Sequence, residues 1–424
     1  LVGSEMCIRD RCTDGQNSMA YVGSTHHAIT PLWHKARATA GLGALGSADK
    51  KIVTLTHVVG PLTTMGKNKR ERQAEPVVAE IPLGRYLAST EKPVRDRAIR
   101  SLAAFLLASA KSEGLCMDSL EIHKLWKGIF YCFWMSDKPM VQQQLSQELA
   151  DLVLAVAGVA TESNEQAAMA TMDSGNRERN SKAESSKQLK ALKLDDTGRA
   201  LTALDFYEGF WATIMAEWHG VDKFRIDKYY MLMRRFVHAG FQLLLVHQWD
   251  DILVRRFVAI MRGTGGPLSS NNVRVPDSIT YHVCDIYLNE LEKAVSLDGE
   301  TRIPILALLM PFMELAATSH SKQMYNRVME SVLTPFLTLC EQRMQPQDER
   351  RKRRKVDEDE EETYTHIFAR MRDDEDEDDE DEDDEGVARI RRHALRRIFA
   401  AASGSDTYAP SRRKLYELWQ AAQE

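Results

Sequence analysis

The sequence predicts an all-α fold of stacked helical hairpins, either a HEAT-like solenoid or an irregular helical array, followed by a disordered charged C-terminal tail. Apolar residues recur at steps of three and four through residues 95–343, and the alternation typical of strands is almost absent. Two Lys-Pro steps, Lys92-Pro93 and Lys138-Pro139, lie 46 residues apart. That spacing is close to the period of two-helix repeats, so it favours stacked hairpins.

The first helices are predicted from their apolar faces and from how they begin. Arg97–Lys111, Ser119–Trp134 and Lys138–Ala157 each place their apolar side chains on one helical face. The segments Ser89–Pro93 and Ser136–Pro139 each combine a possible capping side chain with a proline in the first turn. A proline fits there because the first N–H groups of a helix have no partner within it.

Small and polar residues interrupt this pattern at about 160–199, which predicts a mobile insertion. Six further helices are predicted after it: Leu204–Trp218, Ile226–His247, Asp250–Arg262, Asp277–Ser296, Ile303–Thr318 and Lys322–Met344. Pro311 and Pro335 are expected to kink or split the last two. The helical domain is therefore predicted to span residues 82–344.

Both ends of the chain are expected to lie outside this domain. Residues 1–64 have little periodicity and include SEMCIRDR, which is typical of translated adaptor sequence, so they are set aside. Residues 65–81 are predicted to form a basic N-terminal arm. Blocks of like charge repel and bury little apolar area, which predicts a disordered segment over 345–386. Residues 387–424 are predicted to be a basic amphipathic segment and a C-terminal tail.

The composition and the missing motifs exclude several classes of protein. No stretch approaches the roughly 20 apolar residues that a membrane-spanning helix needs. The six cysteines are scattered, without a C-x-x-C pair, which favours free thiols over a zinc site or a disulfide framework. There is no phosphate-binding loop, G-x-S-x-G elbow, H-E-x-x-H pair or kinase signature. We therefore expect no enzyme, no metal, no cofactor, no membrane and no small-molecule substrate.

The net charge of −6 hides a strong asymmetry. The acidic runs Asp357–Glu362 and Asp373–Glu385 hold 19 of the 62 acidic residues, which leaves 56 basic against 43 acidic residues elsewhere. A basic body with an acidic tract is typical of proteins that work among nucleic acids and basic proteins. The longer acidic run either holds basic partners or folds back on the neighbouring basic run, and the sequence leaves both alternatives open.

Six consecutive cations form the clearest sorting signal in the chain. They are Arg350, Arg351, Lys352, Arg353, Arg354 and Lys355. A run of this kind in an accessible tail fits the acidic grooves of a nuclear-import receptor, and the alternative is a solvated charge run without a partner. We predict an import receptor as a partner and the nucleus as the location.

Two segments go beyond a generic helical pattern. Residues 133–144 read FWMSDKPMVQQQ, and residues 222–236 read DKFRIDKYYMLMRRF. Together with Leu204–Trp218, they resemble the nucleolar ribosomal RNA processing protein 1 family over about Pro82–Met344. The resemblance implies a non-catalytic nucleolar assembly factor of early pre-60S particles, needed for processing precursor rRNA to the large-subunit rRNAs. It also implies pre-ribosomal proteins and precursor rRNA as partners.

The same motifs supply a candidate binding surface. Its residues are Asp137, Lys138, Lys223, Arg225, Lys228, Arg234 and Arg235. Either the cations contact rRNA phosphates, or the stacked hairpins hold another assembly factor, and both alternatives stay open. A function of a different class is also open: an acidic-tailed nuclear chaperone for histones or ribosomal proteins.

Overall fold

The helical periodicity of the sequence is realised in a computed structural model of the chain. The structure describes residues 83–112, 119–162, 197–297, 301–344, 364–372 and 384–422. All of them belong to one compact unit. Regular structure in these ranges is almost entirely helical, which confirms the all-α prediction. Within the same ranges, no helix is long and apolar enough to cross a membrane.

Helices α1 to α14 follow one another along the described part of the chain. The first ones are α1 (Leu83–Leu87), α2 (Lys92–Ser112), α3 (Ser119–Trp134), α4 (Pro139–Val156), α5 (Thr197–Glu217), α6 (Ile226–Val246) and α7 (Asp251–Arg262). The later ones are α8 (Asp277–Ser296), α9 (Ile305–Thr318), α10 (Lys322–Val328), α11 (Thr334–Met344), α12 (Thr365–Arg370), α13 (Asp384–Ser403) and α14 (Ala409–Ala421). A 3-10 turn at Trp218–Gly220 follows α5.

Contacts between the helices follow two alternating series. In one series α1 packs against α3, α3 against α5, α5 against α7 and α7 against α9. In the other series α2 packs against α4, α4 against α6, α6 against α8 and α8 against α10. Hairpins stacked side by side produce this order, because each hairpin gives one helix to each layer. The contacts agree with stacked hairpins, and the finer assignment to a HEAT-like solenoid stays a prediction.

Aromatic side chains fill the core where α3, α5 and α6 meet. The rings of Phe210 and Phe236 stack with centroids 3.7 Å apart, and the indole N–H of Trp126 donates to the carbonyl of Phe206 at 2.8 Å. The helices approach closely at Gly209, where a Cβ atom would lie 2.5 Å from Cγ2 of Ile122. A glycine is therefore required at this point of the α3–α5 contact.

The two prolines expected to disturb the late helices behave differently. The segment Lys322–Met344 is split, as predicted, by a π turn at Met329–Leu333 that precedes Pro335. A π turn shifts the hydrogen-bond register, which accommodates the missing N–H of the proline. Pro311 instead lies inside α9, which continues on both sides of it.

The helical body extends past Met344, where the sequence pattern places its end. Helix α13 buries Ile390, Ala394 and Ile398, and it packs against α9 and α11. Ile390, Ala394 and Ile398 are four residues apart and form one apolar stripe, while the arginines lie on other faces of the helix. The helix can therefore dock despite its charge. The predicted separation of residues 387–424 from the domain does not hold for α13 and α14.

Part of the segment predicted to be disordered is also folded. Helix α12 buries Ile367 and Phe368, and residues 371–372 pair in parallel with Ile303–Pro304. The prediction of disorder over 345–386 therefore does not hold for residues 364–372, nor for residues 384–386 at the start of α13. The basic run 350–355, both acidic runs up to residue 383, residues 1–82 and most of the predicted insertion lie outside the described residues.

Candidate functional site

The two sequence motifs meet at the C-terminal end of α3. The ammonium nitrogen of Lys228 donates to the carbonyl oxygens of Phe133 (3.0 Å), Trp134 (2.7 Å) and Ser136 (2.8 Å). The last carbonyls of a helix have no partner within it, and a cation at that end is favourable. Lys228, from the first turn of α6, therefore caps α3.

Lys228 is a structural residue and is not available to bind RNA. Only 5% of it is exposed, and its three donors match three carbonyl acceptors. Desolvation lowers the pKa of Lys228 to about 8, so the ammonium form still predominates at neutral pH. The prediction that places Lys228 on a binding surface is wrong. Its four-residue spacing to Leu232 and Phe236, both buried, is the sequence signal of burial.

A second buried cation, Arg95, holds the same turn from the opposite side. Its guanidinium donates to the carbonyls of Ser89 (2.8 Å) and Thr90 (2.9 Å), and more weakly to that of Met135 (3.4 Å). Arg95 was not predicted as a site residue, because it precedes the predicted helix Arg97–Lys111 and a single arginine gives no sign of burial. Arg95 and Lys228 together bind carbonyls at four consecutive positions, 133 to 136.

The start of α4 differs in detail from its prediction. Pro139 occupies the first turn as expected, but the N-cap residue is Lys138 and no side chain caps the helix. The hydroxyl of Ser136 instead donates back to the carbonyl of Phe133 at 2.6 Å. The side-chain amide of Gln142 donates to the carbonyl of Ser136 at 3.0 Å. The D-K-P-x-V-Q motif thus builds a fixed turn between two helices.

The loop before α6 is fixed by its own side chains. The carboxylate of Asp222 accepts the backbone N–H of Phe224 at 2.9 Å and forms an ion pair with Arg225. The guanidinium of Arg225 lies over the ring of Trp134, 4.7 Å from its centroid. Arg225 is therefore half-buried and engaged by an anion and a ring, which leaves it little freedom to bind a phosphate.

Two large apolar side chains stand out of this junction into solvent. Phe224 is 85% exposed and Met140 is 75% exposed, although each adjoins a tightly held turn. Sequence reasoning missed both because it counted only charges there. The exposed charged residues nearby are Asp137, Lys138, Lys223 and Asp227. Their opposite charges balance, so the exposed part of the junction is apolar and close to neutral.

The remaining predicted cations lie further along α6. Arg234 donates to the carboxylate of Glu290 on α8 at 3.2 Å, and Lys293 donates to the same carboxylate at 2.8 Å. Arg235, the next residue, is exposed. The structure thus does not bring the seven predicted residues together as one basic face. Those that remain exposed are Asp137, Lys138, Lys223 and Arg235.

The thiols of the described residues have little nucleophilic character. Cys132, Cys284 and Cys340 are free and buried. Burial raises the pKa of Cys132 and of Cys340 to about 12, and it also raises that of Cys284. Such thiols stay protonated at neutral pH. The described residues also contain no group of three His, Cys, Asp or Glu side chains placed to hold a metal ion.

A known family matches both motifs and the helices around them. A sequence family described as "Nucleolar protein, Nop52" matches residues 78–418, which is more than half of the chain. The chain belongs to the Nop52 family. The match extends beyond Met344 into α14, in agreement with the docking of the C-terminal helices. The nucleolar location predicted from the sequence is confirmed by this membership.

Curated relatives confirm the predicted resemblance to the ribosomal RNA processing protein 1 family. Human ribosomal RNA processing protein 1 homolog B is 28% identical over 257 residues, which are 60% of this chain and 28% of that protein. Mouse homolog A is 28% identical over 269 residues, 63% of this chain and 44% of that protein. The Drosophila melanogaster homolog is 27% identical over 260 residues, which are 61% of this chain and 31% of that protein. This Nop52-family chain therefore matches less than half the length of these relatives.

Proposed function

We propose that the chain is a non-catalytic ribosomal RNA processing factor that works in early precursors of the large ribosomal subunit (pre-60S particles). Membership of the Nop52 family and the names of the relatives support a role in ribosomal RNA processing. One structural observation carries the non-catalytic part. The two motifs that resemble the family, residues 133–144 and 222–236, form a helix junction that Lys228 caps. The junction holds an exposed surface in place and does not bring reactive groups together.

We further propose that the junction binds another protein of the particle. A surface that binds RNA needs an excess of accessible cations, because phosphate contacts supply most of the affinity. Here Lys228 is buried and Arg225 is paired, and the exposed charges balance. Phe224 and Met140 instead offer large apolar groups of the kind that anchor protein interfaces. The apolar, nearly neutral surface of the junction therefore favours binding of another assembly factor over contact with rRNA phosphates.

The run Arg350–Lys355 is proposed to be bound by a nuclear-import receptor. The proposal is supported by its six consecutive positive charges. Replacing all six by glutamine in a fluorescently tagged full chain should leave the protein in the cytoplasm. A replacement of the same size in Asp357–Glu362 by glutamine is the control, and nuclear accumulation of both variants would contradict the proposal.

The chaperone function remains the second candidate, favoured by the 13 acidic residues of Asp373–Glu385. Acidic tracts attract basic proteins such as histones and ribosomal proteins. Deleting this run separates the two functions. If the deletion abolishes binding of basic proteins and leaves association with pre-ribosomes intact, a chaperone activity resides in the tail beside the processing function.

The main experiment is affinity purification of the tagged full chain from nuclear extract, with sequencing of the RNA that co-purifies. Precursors of the large-subunit rRNAs should be enriched. The double variant Phe224→Asp, Met140→Asp should lose these precursors and keep its folded signal in circular dichroism. Val273→Asp with Leu297→Asp is the matched control, because both residues are strongly exposed elsewhere. Absence of large-subunit precursors from the unmodified chain, or RNA cleavage by the purified protein, would overturn the proposal.

A further inference from the structure

The hairpin formed by α13 and α14 carries a concentration of positive charge that the proposed function does not use. Residues 384–422, from the start of α13 through α14, contain eight lysines and arginines against four acidic residues. Such a local excess of cations is the electrostatic footprint of a nucleic-acid-binding surface. It contrasts with the junction around Lys228, where the exposed charges balance.

One face of α13 packs against the body of the protein, and another face is exposed to solvent. Ile390, Ala394 and Ile398 face the body of the protein and are buried. Arg392, Arg396 and Phe399 are exposed, and steps of four and three residues place them on one face of the helix. That face runs for roughly 10 Å along the helix axis, at about 1.5 Å per residue. The exposed ring of Phe399 therefore follows Arg392 and Arg396 along the same face of the helix.

Phe399 belongs to a cluster of three aromatic rings at the outer edge of the hairpin. It is 38% exposed, and its ring centroid lies 4.8 Å from that of Trp419 and 5.2 Å from that of Tyr416. The hydroxyl of Tyr416 lies 3.1 Å from that of Ser403, one turn after Phe399. The rings of α14 thus sit at the end of the cationic face of α13.

The body of the protein holds this hairpin in place. The backbone N–H of Tyr408, between the two helices, donates to the carbonyl of Ala317 at the end of α9 at 2.9 Å. The ammonium of Lys414 lies 4.6 Å from the ring centroid of Tyr325 on α10. Arg391 forms an ion pair with Glu341 on α11. The cations and rings are therefore presented in a fixed arrangement, which reduces the entropy lost on binding.

We infer that the α13–α14 hairpin binds single-stranded RNA. Arg392 and Arg396 contact consecutive phosphates, and the exposed part of the Phe399–Tyr416–Trp419 cluster stacks with a base at the end of the arginine track. Aromatic rings beside cations are the combination by which proteins hold single strands without reading their sequence. The inference deepens the proposed function, because it names where a processing factor would contact precursor RNA directly.

The test is fluorescence anisotropy with the purified full chain and a fluorescein-labelled 12-nucleotide oligouridine. The double variant Arg392→Glu, Arg396→Glu should bind at least tenfold more weakly near 100 mM salt. The slope of log affinity against log salt should fall by about 1.4, since each phosphate contact to a single strand contributes about 0.7. The control Arg255→Glu, Arg274→Glu changes two exposed arginines elsewhere and should reduce affinity only slightly.

Substitutions at Phe399 separate stacking from simple packing. Phe399→Leu keeps an apolar side chain but removes the ring, and it should weaken binding about tenfold, within the range known for single stacked bases. Phe399→Trp keeps a ring and should retain near-normal affinity. Thermal melting of each variant, followed by circular dichroism, shows whether the hairpin remains folded.

Three results would contradict RNA binding by the α13–α14 hairpin. Equal loss of affinity in the Arg392/Arg396 and Arg255/Arg274 variants would overturn it, because the effect would then reflect net charge alone. Unchanged RNA affinity with loss of a particle protein would assign the hairpin to a protein partner instead. Absence of RNA binding by a chain that still co-purifies with large-subunit precursors would overturn this inference and leave the proposed function standing.

Discussion

The ammonium nitrogen of Lys228 lies 2.7 Å from the carbonyl oxygen of Trp134, 94 residues earlier in the chain. This contact joins two segments that are only neighbours in the folded protein. The first motif supplies a helix end with unpaired carbonyls, and the second supplies the cation that pairs them. A lysine that looks like part of a basic surface in the sequence is thus an element of the core.

Replacing Lys228 by methionine should lower the free energy of unfolding by about 2–4 kcal/mol. Methionine fills a similar volume but cannot donate, so the carbonyl of Trp134 loses its side-chain donor, while those of Phe133 and Ser136 keep the hydrogen bonds from Ser136 and Gln142. A hydrogen bond from a charged group contributes about 1.5–3 kcal/mol, and an unsatisfied buried group is unfavourable by about 1–3 kcal/mol. Urea denaturation of the purified chain measures the change. Lys223→Met, at an exposed position in the loop before α6, should change the free energy of unfolding by no more than about 0.5 kcal/mol. Equal effects at the two positions would contradict the capping role.

Gly209→Ala should destabilise the protein by about 1–3 kcal/mol, although alanine is the better helix former. Its Cβ would lie 2.5 Å from Cγ2 of Ile122 and 2.6 Å from Cδ1 of Trp126, so α3 and α5 would have to separate. Gly198 lies in the same helix with open space around it. Gly198→Ala should therefore be neutral or stabilise by up to about 1 kcal/mol. Thermal melting compares the two variants, and a neutral Gly209→Ala would show that the contact can relax.

The stability of the α6–α8 contact should fall as the solution becomes acidic. Nε2 of His282 lies 2.9 Å from the carbonyl oxygen of Tyr230, and burial lowers the pKa of His282 below its usual 6.5. Arg234, which also lowers this pKa, and Asp285, which raises it, are the charged groups that act on the ring. As pH falls below 6.5, the unfolded chain takes up a proton before the folded chain does. The contribution of neutral His282 to stability is therefore fully present above pH 6.5. It is lost as the pH falls through the lower pKa that His282 has in the folded chain.

His282→Gln tests this pH dependence. The glutamine amide can still donate to the Tyr230 carbonyl, but it does not titrate. Urea denaturation at a series of pH values between about 7 and 5 should show a flatter loss of stability in the variant than in the unmodified chain. Superimposable pH profiles would mean that other groups govern the acid response.

Ile398→Ala should destabilise the protein by about 2–4 kcal/mol, because it leaves a cavity between α13 and the helices beneath it. Ile398 is buried in that contact, whereas Ile252 on α7 is about half exposed. Ile252→Ala removes the same atoms and should lower the free energy of unfolding by less than about 1 kcal/mol. Chemical denaturation of both variants measures the docking of the C-terminal hairpin. A change of similar size at the two positions would place the hairpin outside the cooperative unit.

Much of the fold could be read from local pattern. The periods of three and four residues predict most of the helices that the structure shows, because an amphipathic helix must turn one apolar face to the core. The end of the domain could not be read in the same way. Helix α13 carries five arginines, and its mean polarity hides the short stripe of Ile390, Ala394 and Ile398. Whether such a stripe docks depends on a partner surface, here α9 and α11, that lies elsewhere in the sequence.

The sequence by itself determined the helical class, the distribution of charge, the resemblance to a nucleolar family and the two motifs that carry it. Only the tertiary structure decided what the residues of those motifs do. Burial of Lys228 and pairing of Arg225 removed two cations from the predicted surface and left Phe224 exposed. The reason is that hydrophobicity and charge are properties of single residues, which a sequence states directly. Access to solvent depends on long-range packing, and it decides whether a cation caps a helix or meets a partner.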